Sequence, residues 1–487
     1  MEVKFVANKC LLGFMGALLI LCLYTPDRTV RGMPMFARRY GVGCNACHTS
    51  PPRLNETGYK FRAAGFRMPD EIGAAPAEKK KIANHVGFRL QPRIEVLRST
   101  IGQARKHKVK PEFFAAEGYL WYGPVSRYFS SSTKFTVWPD ESNETEFRER
   151  LEGTVHFDKG TADNFVDLRA GVSHPLEGFG GSESYWLSNT KPFIQELKTA
   201  NFNQDTLFTS AGTHQASVTG AFYHKRTTIR GYLSSGIRVA LDDEGKLEAF
   251  GRKEPFTKAL GQSGKGGPDV QIFFNQILHP DGGNISVDYY NGRSYLPRLD
   301  LLPRTASPAT SSAPGLSTVN AASELIRNSA VASGPNGSLD AVESDPFDDP
   351  PTLTKAELAN LPYFKNNFQR LAFSAGYPIR KLNLLYGVQY GRDAIGTGGH
   401  FSSLGQYVEG TYKVVNDISA VGARYDWFDP ARIKANNEIN GVTVFGNIWL
   451  HSELRIAAEF QHAQAKRGHL QPDRKDNTFQ LRLYWIR

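Results

Sequence analysis

The stretch that decides the fold lies near the C-terminus and reads Leu454-Arg-Ile-Ala-Ala-Glu-Phe-Gln461, followed by Thr478-Phe-Gln-Leu-Arg-Leu-Tyr-Trp485. In both pieces every second residue is apolar, and a period of two is typical of a β-strand with two different faces. The opposite faces carry Arg455, Glu459 and Arg482. An apolar face opposite a charged face suits a strand that has lipid on one side and an aqueous lumen on the other.

The same alternation recurs upstream, at Val408-Gly410-Tyr412-Val414, at Ile229-Gly231-Leu233 and at Val166-Leu168-Ala170-Val172. A soluble β-sandwich also alternates, so the lengths of the connections decide. Walking back from the C-terminus they are long at 463–476, short at 451–452, long at 429–440, short at 416–417, long at 392–404 and short at 381–383. This alternation is typical of outer-membrane barrels. We therefore predict an all-β fold, with residues 85–487 forming a transmembrane antiparallel β-barrel of about 16 strands.

One long connection, residues 303–363, interrupts the predicted strands. It is rich in Ser, Ala, Pro and Gly and then becomes acidic through Asp340, Glu343, Asp345, Asp348 and Asp349. We expect a disordered loop, and the alternative is an acidic collar that attracts metal cations. The formal net charge of the chain is +10, but its basic residues are scattered among acidic ones, which argues against a nucleic-acid partner.

The N-terminus has the features of an export signal. Lys4 and Lys9 precede an apolar run over residues 10–24, which is shorter than the ~20 residues that a membrane-spanning helix needs. We predict a signal peptide over residues 1–32, with its cleavage site open, and the alternative is a retained signal anchor. Removal of that peptide leaves Cys44 and Cys47 as the remaining cysteines.

These two cysteines belong to the string Cys44-Asn-Ala-Cys47-His48, the C-x-x-C-H pattern that attaches a c-type haem. Two thiols add to the porphyrin vinyl groups, and the adjacent His48 binds the iron as proximal ligand. The alternatives are a redox-active C-x-x-C, a zinc half-site or a structural disulfide. The sequence offers neither further zinc ligands nearby nor a βαβ context, so we predict one covalent haem c in a segment over residues 33–84.

The distal ligand of the iron is expected on the C-terminal side of the motif. Leu54, Phe61 and Ala64 lie on one face of an expected helix that stops at Gly65. Met68 comes just after this stop, and we predict it as the distal ligand because a Met and His pair raises the haem potential. Met35 and His85 are the other candidates, and Met68 as an ordinary apolar contact is the alternative. Arg38 and Arg39 could pair with haem propionates or be solvated.

Taken together, the chain resembles the fused monohaem cytochrome-porin family, outer-membrane proteins associated with oxidation of extracellular ferrous iron. The resemblance rests on Phe36-Ala-Arg-Arg-Tyr-Gly-Val-Gly-Cys44-Asn-Ala-Cys-His48, on Pro52-Arg-Leu-Asn55 and on Gly58-Tyr-Lys-Phe61-Arg-Ala-Ala-Gly65-Phe66. The stretch Gly422-Ala-Arg-Tyr-Asp-Trp-Phe-Asp-Pro430 also looks like the late strands of phosphate-selective porins. The resemblance implies that Cys44, Cys47 and His48 carry a haem at the periplasmic side of the barrel or inside its lumen.

The expected function is electron transfer across the bacterial outer membrane, from extracellular Fe(II) to a periplasmic c-type cytochrome or another electron carrier. Such a protein is an electron carrier with a possible iron:cytochrome oxidoreductase activity. Export of electrons to an extracellular acceptor is one alternative. A solute porin whose haem is structural or sensory is the second, and a peroxidase-like enzyme with an open distal site is the third.

Overall fold

The structure is a computed structural model of the chain. It describes residues 34–50, 53–74, 85–101, 104–112, 116–139, 147–173, 187, 188, 190, 192–196, 215–241, 247–251, 268–297, 363–394, 399–415, 418–432, 437–451, 453–466 and 473–486. The predicted signal peptide lies outside the described residues, as does the predicted loop 303–363 apart from its last residue, Tyr363.

The first described part of the chain, residues 34–74, is called here the N-terminal segment. It contains the helices α1 (Pro34–Tyr40) and α2 (Glu56–Ala63), 3-10 turns at Cys44–Ala46 and Pro69–Glu71, and a short ladder of β1 (His48–Ser50) and β2 (Arg53–Leu54). The predicted helix is therefore real but shorter than expected. Leu54 pairs with His48 in the ladder instead of joining the helix, because Asn55 caps the N-terminus of α2 through its side chain.

The C-terminus of α2 forms as the sequence predicts. Gly65 has a φ of 61° and Phe66 a φ of 62°, so the chain leaves the helix through the left-handed region. The amide of Phe66 donates to the carbonyl of Phe61 at 2.9 Å, which satisfies a carbonyl that the helix leaves open.

The remaining strands are longer and follow one another along the chain. They are β3 (Val86–Leu90), β4 (Arg93–Ile101), β5 (Ala104–Glu112), β6 (Ala116–Pro124), β7 (Phe129–Pro139), β8 (Phe147–Gly160), β9 (Asn164–Ser173), β10 (Gln215–His224), β11 (Thr227–Ser234), β12 (Ile237–Leu241), β13 (Leu247–Gly251), β14 (Asp269–His279), β15 (Gly283–Pro297), β16 (Tyr363–Ile379), β17 (Leu382–Ala394), β18 (His400–Val415), β19 (Ser419–Asp429), β20 (Ile439–His451), β21 (Leu454–Ala465) and β22 (Arg474–Ile486). A third helix, α3 (Phe193–Glu196), lies between β9 and β10.

All of these strands except the β12–β13 hairpin close into one antiparallel barrel. Both β3 and β4 pair with β22, while β6 pairs with β3 and β5 pairs with β4. β3 and β4 therefore share one strand position in the barrel, and β5 and β6 share the next one. Counted in this way, the described residues form a barrel of 16 strands, which confirms the predicted fold class.

The two faces of the barrel wall are inverted relative to a soluble protein. Large apolar side chains are exposed on the outside, for example Val218, Phe222, Ile229, Ile272, Leu371, Val408, Tyr425 and Val442. Charged side chains are buried on the inside, for example Asp167, Arg230, Asp288, Arg370, Asp393, Glu409, Arg424 and Glu459. An apolar exterior around a polar interior is the pattern of a transmembrane barrel, and the protein is therefore an outer-membrane β-barrel.

No helix in the described part of the chain is long and apolar enough to cross a membrane.

The two ends of the barrel differ in their connections. At one end, the short-turn end, the links are brief, at 125–128, 161–163, 225–226, 280–282, 380–381, 416–418 and 452–453. The opposite end carries the longer links, including 174–214, 235–268 and 298–362. Because the strand number is even, β3 begins and β22 ends at the short-turn end, so the N-terminal segment enters the barrel there.

One of the long links returns into the lumen. Its described residues 187, 188, 190 and 192–196 are called here the inner segment, and they contact the inside of β18 to β21. A Cβ at Gly405 would overlap Ile194, and a Cβ at Gly441 would overlap Phe193. These two glycines let the inner segment pack directly on the barrel wall.

Candidate functional site

The C-x-x-C-H string folds into one tight turn. Cys44–Ala46 forms a 3-10 helix, and the amide of Ala46 donates to the carbonyl of Gly43 at 3.2 Å. The side-chain amide of Asn55 donates to the carbonyls of Asn45 at 3.0 Å and Ala46 at 3.1 Å. The backbone amide of Asn55 donates to the carbonyl of Cys47 at 2.9 Å. One residue outside the motif thus holds its backbone in place.

Helix α2 presses against the same turn. The Asn55 side-chain oxygen accepts a hydrogen bond from the amide of Gly58 at 2.9 Å, so the residue that holds the turn also caps the helix. A Cβ at Gly58 would overlap the Cys47 carbonyl oxygen, which means that only glycine allows this approach. The Gly58 position therefore belongs to the site, although the motif does not include it.

The state of Cys47 bears on the alternatives to haem. Its thiol is free and partly buried, and this burial raises its pKa to about 11. A redox-active or nucleophilic thiol needs a lowered pKa, so the environment of Cys47 does not suit that chemistry. Within the described residues, no group of three or more His, Cys, Asp or Glu side chains is placed to hold a metal ion. The residue types fit covalent haem attachment, with Cys44 and Cys47 at the two ends of one backbone turn and His48 directly after it.

The three candidates for the distal ligand all lie in or beside the N-terminal segment. Met68 is half-buried and directly precedes the 3-10 turn Pro69–Glu71. Met35 in α1 is 1% exposed. His85 lies at the barrel edge with its Nδ1 3.2 Å from Nη1 of Arg39, and burial together with that guanidinium lowers the pKa of His85. The neutral imidazole of His85 is thus in hydrogen-bond contact with the guanidinium of Arg39.

Four aromatic rings give the N-terminal segment its small core. Phe36 packs edge-on against Phe61 with ring centroids 4.9 Å apart, and it stacks on Phe66 at 5.6 Å. Tyr40 meets Phe61 at 5.8 Å, and its burial raises the pKa of the phenol well above the usual range. Phe66 also contacts His156 of the barrel wall, with ring centroids 6.5 Å apart. This core therefore extends into the barrel.

Arginines join the N-terminal segment to the wall. Arg67 is fully buried and donates to the carbonyls of Ser126 at 2.7 Å and Phe129 at 3.3 Å. Arg39 is 5% exposed and donates to the carbonyl of Pro124 at 3.4 Å, whereas Arg38 is exposed. The Arg39 side chain is therefore not solvated, which was one of the two alternatives for this residue in the sequence analysis.

Side chains of the barrel wall also contact the N-terminal segment. Arg169 of β9, held by Asp167, donates to the carbonyl of Ala63 at 2.9 Å and so binds the C-terminal end of α2. A side chain at Gly65 would come within 2.7 Å of the Ser130 hydroxyl. The turn that leads to Met68 is thus pressed against β7.

Further contacts join the N-terminal segment to the turns at the short-turn end of the barrel. The Thr49 hydroxyl donates to the carbonyl of Asp281 at 2.6 Å, and the amide of Glu56 donates to the carbonyl of Pro280 at 2.8 Å. The Glu56 carboxylate pairs with Arg226 at 2.9 Å. Together with Arg53, which pairs with Glu409 of β18, these contacts follow the rim from β3 to β18. Sequence reasoning missed these residues because each partner is far away along the chain.

Comparisons with known proteins concern the barrel. No protein-family model matches the chain, and no curated protein matches it by sequence. Among solved structures, it is similar to an anion-selective porin from Comamonas acidovorans, with 8% identity, a TM-score of 0.49, and coverage of 82% of this chain and 99% of that one. It is also similar to the outer membrane protein OmpT of Vibrio cholerae in its trimer form, with 11% identity, a TM-score of 0.45, and coverage of 82% and 99%. The outer membrane channel DcaP of Acinetobacter baumannii gives 8% identity, a TM-score of 0.45, and coverage of 82% and 97%.

The closed wall, the apolar exterior and the polar lumen define the class of protein. The chain is a transmembrane β-barrel of the bacterial outer membrane, and its outer surface contacts membrane lipid.

Proposed function

We propose that this protein carries one covalent haem c and transfers electrons across the outer membrane. The observation that carries the proposal is the position of the motif: a rigid C-x-x-C-H turn lies in a segment seated in the mouth of a membrane-spanning barrel. Short turns of outer-membrane barrels face the periplasm, so the haem segment would be on the periplasmic side. A redox group at that place can serve a periplasmic partner directly.

The residues have separate roles in this proposal. Cys44 and Cys47 would form thioethers to the porphyrin, His48 would be the proximal ligand and Met68 the distal ligand. A haem held in this way supplies a one-electron ferric/ferrous couple, and no substrate bond needs to break. Asn55 and Gly58 keep the attachment turn in its shape, while the four aromatic rings form the core of the N-terminal segment.

The donor and acceptor are those that the resemblance to the cytochrome-porin family implies. Extracellular Fe(II) would be the electron donor, and a periplasmic c-type cytochrome or another electron carrier would be the acceptor. Transfer in the opposite direction, to an extracellular acceptor, uses the same site with the potentials reversed. An iron:cytochrome oxidoreductase activity would result from the first direction.

A second candidate function is a solute channel in which the haem is structural or sensory. The observation in its favour is the lining of the lumen, where Arg370 pairs with Asp393 at 3.0 Å and Arg424 pairs with Asp426 at 2.7 Å. Fixed charges of both signs are typical of lumens that select solutes. A peroxidase-like enzyme is a third candidate and requires that Met68 not bind the iron.

The experiment that separates these functions uses the purified, haem-loaded protein. Its absorption spectrum and midpoint potential are recorded, and ferrous iron and then peroxide are added. A low-spin haem that Fe(II) reduces and peroxide does not turn over supports the conduit. A high-spin haem with peroxide turnover supports the enzyme, and a haem that Fe(II) leaves oxidised removes iron as the donor. Absence of covalent haem would overturn the whole proposal.

A further inference from the structure

We propose that Arg53, Glu409 and Arg424, called here the latch, lock the N-terminal segment into the barrel so that it closes the short-turn end to solutes. This inference goes beyond electron transfer and does not depend on whether haem is bound.

The first link joins the N-terminal segment to the wall. Nη2 of Arg53 lies 3.1 Å from Oε1 of Glu409, although 356 positions separate the two residues. The Arg53 side chain is 8% exposed and the Glu409 side chain is 0% exposed. Removal of one partner of a buried ion pair strongly destabilises the folded protein, because the other charge stays buried without compensation.

The second link runs across the wall. Glu409 of β18 and Arg424 of β19 are direct cross-strand neighbours, and their Oε2 and Nη1 atoms are 3.9 Å apart. Nε of Arg424 donates to Oδ2 of Asp426 at 2.7 Å. The Arg424 guanidinium is therefore shared between two carboxylates and cannot neutralise both of them.

The third link reaches the inner segment. Arg424 donates to the Ser188 hydroxyl, and it also donates to the carbonyl of Thr190 at 2.9 Å. The amide of Thr190 in turn donates to Oε1 of Glu459 at 3.1 Å. The N-terminal segment and the inner segment, two described pieces of chain inside the barrel, are thus held by one connected set of buried charges.

The distances to the Glu409 carboxylate show what Arg53 contributes. Arg53 lies 3.1 Å from the Glu409 carboxylate, whereas Arg424 lies 3.9 Å from it and is bound more closely by Asp426 at 2.7 Å. Arg53 comes from the N-terminal segment. Loss of Arg53 therefore takes from the buried Glu409 carboxylate its nearer guanidinium, and with it the ion pair that holds the segment on this side.

Closure of the mouth is indicated by the path of the segment. Its contacts include Val86 of β3, Pro124 of β6 and the 280–282 turn at the rim, and Glu409 on the inner face of β18. Because Phe36 of α1 packs on Phe61 of α2, the segment is one compact body, and a compact body held at both β3 and β18 lies across the opening. Arg53 is the contact on the β18 side, so its loss frees that side of the segment.

The test is ion conductance of the full protein in planar bilayers. Wild type is expected to be closed, and Arg53→Ala and Glu409→Gln are expected to raise the open fraction more than about tenfold. Asp70→Asn is the control, since it also removes one charge from the same segment, but Asp70 is exposed and makes none of the contacts described above, so the channel should stay closed.

A tethered variant covers the case in which Arg53→Ala fails to fold. Arg53→Cys with Glu409→Cys removes both charges of the buried pair and places two thiols on the residues that now meet, so a reducible thiol crosslinker that joins them should close this channel until reductant is added. A wild-type protein that conducts like an open porin would overturn the proposal, as would a folded Arg53→Ala protein that stays closed or a tethered protein that still conducts. Haem content is measured separately, so failure of the latch and failure of the haem assignment are distinguishable.

Discussion

The Asn55 side chain and the Ala46 carbonyl are 3.1 Å apart, and through this hydrogen bond the cap of helix α2 also fixes the turn between the two cysteines. Attachment of haem needs both thiols on one edge of the porphyrin, so it depends on the shape of this turn.

Asn55→Ala should lower the haem content of the purified protein. It should also lower the free energy of unfolding by about 1 kcal/mol through loss of the helix cap. The measurement is haem absorbance per mole of protein, together with the unfolding midpoint of the N-terminal segment. Asn45→Ala is the control, because the Asn45 side chain is exposed. Equal haem content in both variants would mean that the turn keeps its shape without Asn55.

Cys44→Ala and Cys47→Ala should each lose haem or accumulate poorly, because one surviving thioether cannot complete the two-point attachment. Haem staining of outer-membrane fractions measures this directly. Unchanged staining in both variants would refute the haem assignment. Heat-modifiable migration of the barrel in the same fractions serves as the control for folding, since a closed barrel has no open strand edge.

Met68→Ala should open the distal side of the iron. We expect loss of the sulfur-to-iron absorption band, binding of added ligands, a lower potential and poor oxidation of ferrous iron, with the covalent haem retained. Met68→His should keep a six-coordinate iron but lower the potential, because imidazole favours the ferric state more than thioether does. If Met68→Ala has the wild-type spectrum and potential, Met35→Leu and His85→Ala are the next variants to measure.

The thiol of Cys47 should react slowly in protein prepared without haem. Burial raises its pKa from 9.0 to about 11, so the folded state favours the neutral thiol. The stability that this preference provides is complete below pH 9 and is lost as the pH rises towards 11. Alkylation of a Cys44→Ala protein should therefore be slow at about pH 8 and accelerate strongly only near pH 11.

The same protein unfolded in urea is the control and should react rapidly by about pH 9. Fast alkylation of the folded protein at about pH 8 would contradict the raised pKa of Cys47. It would also restore the interpretation of the motif as a redox-active C-x-x-C.

Much of the fold could be predicted because strand periodicity is a local property. The alternation at residues 454–460 and 478–485 is enough to assign one lipid face and one lumen face, and the spacing of turns indicates about 16 strands. The end of α2 at Gly65 was equally local, since glycine adopts a positive φ without a steric penalty. Its start was misjudged because the capping role of Asn55 and the pairing of Leu54 with His48 were not recognised.

The sequence alone determined that the strands have one apolar and one polar face, as in a membrane barrel, and that Cys44, Cys47 and His48 form a C-x-x-C-H motif. The tertiary structure alone decided where that motif is held. Arg53 meets Glu409 and Arg169 meets Ala63 across 356 and 106 positions, and no local pattern marks such pairs. The physical reason is that a buried charge must find a partner in the folded barrel, and closure of the wall determines which side chains face each other.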